Sequence, residues 1–362
     1  VTVAPAIDPS GSVVDLTAAL CDIESVSGNE RALADAVEAA LRACGHLEVI
    51  RDGDAVVART ALGRDRRVAI AGHLDTVPVH DNLPTRREVR DGVDVLVGRG
   101  TVDMKGGVAV QLALATRLAA PVVDVTWVFY DNEEVSGERN GLARIARTRP
   151  ELLAADFAVL CEPTSAGIEG GCNGTARVLL RWSGRRAHSA RPWMGRNAIH
   201  AAAGALATLA EWDAEEVVVD GLAYRESLNA VGVSGGIAGN VIPDAAELVV
   251  NYRFAPSRSG QEAIERLRAW FPDAELVVDD LVEGARPGLD APIAREFTAA
   301  VGGVPTPKYG WTDVARFSAL GIPAVNYGPG DPSLAHMDDE HVPVEQIVAC
   351  ERGLHAWLRG NG

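Results

Sequence analysis

His73, Asp75, Asp103, Glu133, Glu134, Glu162 and His336 are the residues of this sequence whose types could do chemistry together. Carboxylate oxygens and imidazole nitrogens, with no thiolate among them, suit a hydrolytic centre holding zinc, manganese or cobalt. A mononuclear site needs about three protein ligands, so this inventory is generous enough for two cations bridged by a carboxylate. Cations would also relieve the repulsion among so many carboxylates brought to one place. Taken alone, Glu133-Glu134 is better explained as a solvated acidic loop. The rest of the chain changes that balance.

The elements that must position these residues alternate. The β-branched run from Val122 to Tyr130 reads as a buried strand and leads directly into Asp131-Asn132-Glu133-Glu134. Arg67 to Ala71 reads as another strand and ends in Gly72-His73-Leu74-Asp75. A strand around Val93 to Val97 leads through a glycine-rich turn to Asp103 and then to a helix from Val108 to Leu118. Residues 155 to 160 form a strand that stops at Cys161-Glu162-Pro163. Polar clusters therefore recur at strand ends, where α/β sheets open into functional crevices. Ahead of them lie two helical patterns between 12 and 44, with Ser27 and Glu30 spaced as a capping box for the second, and strand-like runs from 47 to 59.

Beyond this the pattern changes. Residues 175 to 288 read strand, helix, two strands, helix and strand, the order of a ferredoxin-like split βαβ unit. The α/β pattern resumes near 290 with a helix, a strand at 322–327 and a last helix to about 359. The expected fold is thus α/β, a mostly parallel sheet flanked by helices, with an inserted ferredoxin-like α+β domain. Its parts are residues 1–174 and 289–362 for the catalytic domain and 175–288 for the insert.

Composition sets the limits. A chain of 362 residues with 47% hydrophobic and 23% charged side chains suits two globular domains. A net charge of −16 disfavours nucleic acid or an anionic membrane as partner. Cys21, Cys44, Cys161, Cys172 and Cys350 are scattered, with no Cys-x-x-Cys spacing, so neither a disulfide framework nor a thiolate zinc site is expected. No signal-peptide pattern and no long apolar run is present, so a cytoplasmic protein is expected. His46, His80, His200, His341 and His355 are read as surface or core residues, and Lys105 as structural or a local counter-charge.

Residues 72–78, 98–107, 133–137 and 162–164, in this order and spacing, resemble the motifs of the dinuclear zinc aminoacylase/carboxypeptidase family. That family includes acetylornithine deacetylase and succinyl-diaminopimelate desuccinylase. The resemblance implies that Asp103 bridges two divalent metal ions, zinc first with cobalt or manganese as alternatives. His73 and Glu162 would complete one site, Glu134 and His336 the other. Asp75 would accept the second ring N–H of His73, and Glu133 would be the general base that passes a proton from the attacking water to the leaving amine. It also implies a cis peptide at Asp103-Met104.

In the insert, residues 187–192 followed by 195–198 resemble the family's lid motif. Its histidine, His188 here, would stabilise the oxyanion in the active site of the other subunit of a homodimer. Asn240 and Arg253 resemble positions that hold substrate, and Gly310 and Thr312 lie in what resembles the substrate loop. Residues 171–175, with Asn173 and Thr175, and residues 311–317 are most similar to the desuccinylases of actinobacterial type. The implied reaction is hydrolysis of N-succinyl-LL-2,6-diaminopimelate, with an N-acetylornithine deacetylase or broader aminoacylase as the alternative. A non-catalytic metal-binding regulator on the same fold is a remote one. Cys172-Asn173 stands where proteobacterial desuccinylases carry an arginine pair. Six arginines between Gly170 and Ala210, with no acidic residue, form a patch that could steer an anionic substrate.

Overall fold

A computed structural model describes residues 7–360. The terminal residues 1–6 and 361–362, assigned above to the catalytic domain, lie outside the described residues. The chain divides into two compact units: one runs to Gly170 and takes in Pro287–Thr306 and everything from Thr312, the other comprises Gly171–Arg286 and Pro307–Trp311.

In the first unit Ser12 caps α1 (Val13–Asp22), its hydroxyl accepting from the Asp15 amide at 3.1 Å. Helix α2 (Arg31–Arg42) buries Leu33, Val37 and Leu41, one stripe at four-residue spacing. Strands β1 (Glu48–Asp52) and β2 (Ala55–Arg59) form a hairpin rather than one run, because Gly53 turns the chain at φ +60°. After β3 (Arg67–His73) come β4 (Arg86–Arg90) and β5 (Val93–Val97), joined by Asp91-Gly92, both at positive φ. Helix α3 (Lys105–Arg117), β6 (Asp124–Tyr130), α4 (Gly141–Thr148), β7 (Phe157–Leu160) and β8 (Glu169–Gly170) follow.

The second unit contains β9 (Gly174–Ser183), α5 (Ala198–Ala201), α6 (Ala203–Glu211), β10 (Glu216–Val219), β11 (Leu222–Arg225), β12 (Ser227–Gly235), β13 (Ala245–Phe254), α7 (Gly260–Trp270) and β14 (Glu275–Val282). The chain then returns to the first unit. There it forms α8 (Pro292–Val301), β15 (Thr306–Pro307), α9 (Val314–Ala319), β16 (Ala324–Asn326), β17 (His341–Pro343) and α10 (Val344–Arg359).

The main sheet has the order β1-β2-β6-β3-β7-β16-β8-β15, with β6, β3, β7 and β16 mutually parallel and β2 and β8 pairing antiparallel on either side of them. β6 is buried along its whole length, as expected of a strand covered on both faces. The register sets His73 opposite Tyr130 and Ala71 opposite Leu160, so β3 and β6 end level and β7 ends two residues earlier. Gln111 pins α3 to the sheet by donating to the Ile70 and Val128 carbonyls at 3.0 Å.

β5 departs from expectation. It lies in a separate three-stranded antiparallel sheet with β4 and β17, because Asp91-Gly92 makes a two-residue hairpin of the kind favoured by left-handed positions. Asp103 is therefore held at the start of α3 and not at the end of a strand of the main sheet.

In the second unit the order β12-β13-β9-β14, antiparallel throughout, is that of a ferredoxin-like sheet. Alternate residues of β13 (Leu248, Val250, Tyr252 and Phe254) face its core. The hairpin β10–β11 is an addition that the sequence pattern did not suggest. Pro307–Trp311, expected with the catalytic part, groups with this unit: the Lys308 carbonyl accepts from the Asn173 amide and Trp311 Nε1 donates to the Glu283 carbonyl.

Candidate metal centre

These neighbouring strand ends place His73 as the last residue of β3, Glu133 and Glu134 just past β6, and Glu162 two residues past β7. Asp103 lies two residues before the start of α3, which Gly107 lets approach closely: a Cβ there would stand 2.0 Å from the Cys161 carbonyl oxygen. His336 follows β16 at φ +66°.

These residues converge as two groups that share Asp103. One donor atom each from His73, Asp103 and Glu162 lies within 4.8 Å of the others, and the same holds for Asp103, Glu134 and His336. His73 Nε2 is 3.1 Å from Asp103 Oδ1, while His336 Nε2 is 3.2 Å from Asp103 Oδ2 and 3.0 Å from Glu134 Oε1. Each oxygen of one carboxylate thus faces a different imidazole. His73 Nδ1 donates to the Asp75 main-chain carbonyl at 2.9 Å, which leaves Nε2 to point at the shared carboxylate. The Asp103-Met104 peptide is cis.

The Asp75 carboxylate does more than was expected of it. It stands 3.5 Å from His73 Nδ1, but its shorter contacts are with the amides of Glu133 (2.9 Å) and Glu134 (3.1 Å) and with Ser27 Oγ (2.7 Å). Buried Glu340 does the same for the Asp103 turn, accepting from the amides of Val102 (2.9 Å) and Asp103 (3.1 Å) while pairing with Arg99 at 2.7 Å. Neither Glu340 nor Arg99 was singled out in the sequence. The neighbouring Asp338-Asp339-Glu340-His341 run hides the one buried carboxylate among exposed ones.

Electrostatics mark the site as built for cations. Hydrogen bonds to Asp103 and Glu134 push the His336 imidazole up to about 10. Burial opposes a charge on His73, yet Asp103 and Asp75 carry it well above the usual histidine value. Burial raises Glu133 well above an ordinary glutamate; His73 opposes that, and Asp313, Glu162 and Glu134 add to it. Oxygen and imidazole donors in two sets of three, with one carboxylate in common, fit two divalent ions.

In the second unit the structure brings His188 and Asn240 together: His188 bridges Val241, and the Ser189 amide donates to the Asn240 carbonyl at 2.9 Å. His188 is exposed, with Nδ1 accepting from the Ala190 amide at 3.1 Å, which leaves Nε2 as the ring nitrogen that can donate. Half-buried Arg253 pairs through its backbone in β13, its guanidinium makes no hydrogen bond or ion pair with a described residue, and desolvation lowers its pKa. Asn173 donates to the Arg225 carbonyl at 2.9 Å and its buried Oδ1 has no partner, while Thr175 Oγ1 accepts from Asn251 at 3.3 Å.

Thr312 is buried in the first unit with its hydroxyl bonded to Asn326 at 2.9 Å, whereas Gly310 falls in the second unit. Half of the arginine patch is paired: Arg177, Arg181 and Arg186 meet Asp279, Glu247 and Asp244. The acids come from later strands, so a window ending at Ala210 could not contain them.

The model of peptidase family M20/M25/M40 matches residues 69–359. A Mycobacterium tuberculosis chain provisionally named succinyl-diaminopimelate desuccinylase DapE is 54% identical over 357 residues, 98% of this chain and 100% of that one. A Corynebacterium glutamicum protein named succinyl-diaminopimelate desuccinylase is 47% identical over 365 residues, 98% of each chain. Among solved structures a tripeptidase from Staphylococcus aureus superposes with a TM-score of 0.79 at 19% identity, covering 98% of both chains, a likeness of fold.

Proposed function

The chain belongs to peptidase family M20/M25/M40, and we propose that it hydrolyses the amide of N-succinyl-LL-2,6-diaminopimelate to succinate and LL-2,6-diaminopimelate. The observation that carries the hydrolytic reading is the sharing of Asp103 between two imidazole–carboxylate groups, one at each of its oxygens. The acyl group and amino acid rest on full-length similarity to two proteins of that name.

In this reading His73, Asp103 and Glu162 hold one divalent ion, and Asp103, Glu134 and His336 the other, with zinc as the metal. The ions, when bound, supply Lewis acidity to the scissile carbonyl and acidify water. Glu133 takes the proton of the attacking water and delivers it to the leaving amine; its burial among carboxylates suits it to hold a proton between the two transfers. Asp75 keeps Glu133 and Glu134 in place through their amides, and fixes the tautomer of His73 through its own carbonyl.

Arg253, whose guanidinium has no partner among the described residues, binds a substrate carboxylate, and Asn240, Thr175, Asn173, Gly310 and Thr312 are the other candidate substrate contacts. His188 donates its Nε2–H to the oxyanion. We place the protein in the cytoplasm, consistent with Cys21, Cys44, Cys161, Cys172 and Cys350 all being free thiols. No helix among the described residues is long and apolar enough to cross a membrane.

The test is kcat/KM of the metal-loaded protein on N-succinyl-LL-diaminopimelate against N-acetylornithine, with metal content measured alongside. Preference for the succinylated substrate, abolished by a chelator and restored by zinc, is expected. Preference for N-acetylornithine overturns the substrate, and a metal-loaded protein inert on both overturns the enzyme.

A further inference from the structure

Ser25, Ser27 and Glu30 are distant in sequence from every candidate ligand, yet the α1–α2 linker that carries them is stitched to the ligand loops. Ser25 Oγ donates to the Leu74 carbonyl at 2.6 Å, the Thr76 amide to the Ser25 carbonyl at 3.0 Å, and the Ser27 amide to the Thr76 carbonyl at 3.1 Å. Lys105, two residues after Asp103, reaches the same linker and donates to the Ile23 carbonyl at 2.9 Å.

The capping box expected of Ser27 and Glu30 does not form. Glu30 is itself the N-cap of α2 and makes no side-chain capping bond. Ser27 Oγ goes to Asp75 Oδ2, and Glu30 Oε1 accepts from the Gly28 amide at 2.8 Å and the Asn132 amide at 3.2 Å.

The consequence falls on the catalytic loop. The successive amides of Asn132, Glu133 and Glu134 donate to two carboxylates, the first to Glu30 and the others to Asp75. Glu30 is 1% exposed and Asp75 wholly buried, so neither is free to drift with solvent. Asn132 sits in the left-handed region at φ +58°, and this turn swings Glu133 out of line with β6. A turn of that kind is held only if its surroundings over-determine it. Glu30 supplies the hold on its first amide.

We propose that Glu30, with Ser27 behind Asp75, is a positioning residue for the hydrolysis: it fixes the backbone at Asn132 so that the Glu133 carboxylate meets the attacking water. Glu30 touches neither substrate nor metal. The inference rests on the assignment of Glu133 as general base. Its weight comes from the steep dependence of proton transfer on geometry, where a displacement of ~1 Å can cost ~100-fold in rate.

The experiment uses the metal-loaded full chain and compares Glu30→Ala, Glu30→Gln, Ser27→Ala and Glu133→Gln, each Glu30 and Ser27 change also being placed on the Glu133→Gln background. Glu30→Ala is expected to lower kcat by about tenfold or more with KM within about threefold and metal per chain unchanged. Glu30→Gln retains the Oε1 acceptor and is expected to recover most of that loss. Ser27→Ala is expected to lower kcat by a smaller factor, which keeps the proposal testable should Glu30→Ala not fold. On the Glu133→Gln background neither change should lower kcat further. A folded Glu30→Ala with wild-type kcat and a reduced melting temperature overturns the proposal, since packing alone would do that. So does an equal further loss without Glu133. Wild-type kcat in Glu133→Gln instead removes the base assignment beneath it, a distinguishable result.

Discussion

Glu133 and Glu134 are sequence neighbours just past the left-handed turn at Asn132, and their carboxylates meet different surroundings. Glu134 Oε1 turns to His336 at 3.0 Å, and Glu133 is left among carboxylates with no imidazole of its own. Glu133→Gln preserves shape and every metal donor while removing the proton carrier. We expect two metals per chain as in wild type and kcat lower by ~10²–10⁴-fold; mass spectrometry of bound metal with steady-state kinetics checks both. Arg253 belongs to the same scale. A half-buried guanidinium with no ion pair has a donor fork to offer, and a charge-assisted hydrogen bond is worth about 1.5–3 kcal/mol. Arg253→Ala should raise KM by about 10–100-fold, and Arg253→Lys should rescue little because a point charge does not replace the fork. A KM unchanged in both variants would remove Arg253 from the binding site.

Candidate site residues at the ends of elements were legible because sequence alone shows where an apolar run stops: His73 at the end of β3, Glu133-Glu134 after β6, Glu162 after β7. What holds those ends was not. Glu30 and Glu340 look like ordinary helix-start and loop acids, and their role appears only when chain segments far apart meet, Glu30 on Asn132 and Glu340 on Val102 and Asp103. β5 was assigned to the main sheet on its apolar character, which two kinds of sheet share, while the Asp91-Gly92 hairpin signal beside it decided the pairing. The turn from β5 to α3 also yields a stability prediction. Arg99 is 3% exposed and pairs with fully buried Glu340. Removing one partner of a buried pair leaves an uncompensated charge, so Arg99→Met should cost about 3–5 kcal/mol in urea unfolding. A loss below about 1 kcal/mol would mean that Glu340 is neutralised or hydrated instead of stranded.

At the scale of the molecule, the second unit carries a surface that a lone chain explains poorly. β12 is the edge of its sheet and exposes Val231 and Val233, while α6, which packs on that strand, buries none of its own residues and exposes Leu206. A long apolar edge strand is a pairing hazard unless something covers it, and a second copy of the chain would satisfy it by two-fold symmetry. We therefore propose a homodimer joined through the second unit. His188 stands exposed with Nδ1 taken up by the Ala190 amide, as a group offering Nε2 to a site on the other subunit would. If each active site combines Glu133 of one subunit with His188 of the other, His188→Ala and Glu133→Gln are complementary lesions. Each homodimer should be nearly inactive with metals intact. After subunit exchange at equal concentration, half of the dimers are mixed and each contains one site with both wild-type groups. Activity should then return to about a quarter of wild type. If both groups come from one subunit, the mixture regains nothing, because each chain still lacks one of them. Sedimentation of the wild type and a Val233→Glu variant separates that outcome from a failure to dimerise: the glutamate should dissociate the dimer by burying an unpaired charge in the interface, and a protein monomeric without it would remove the shared site altogether.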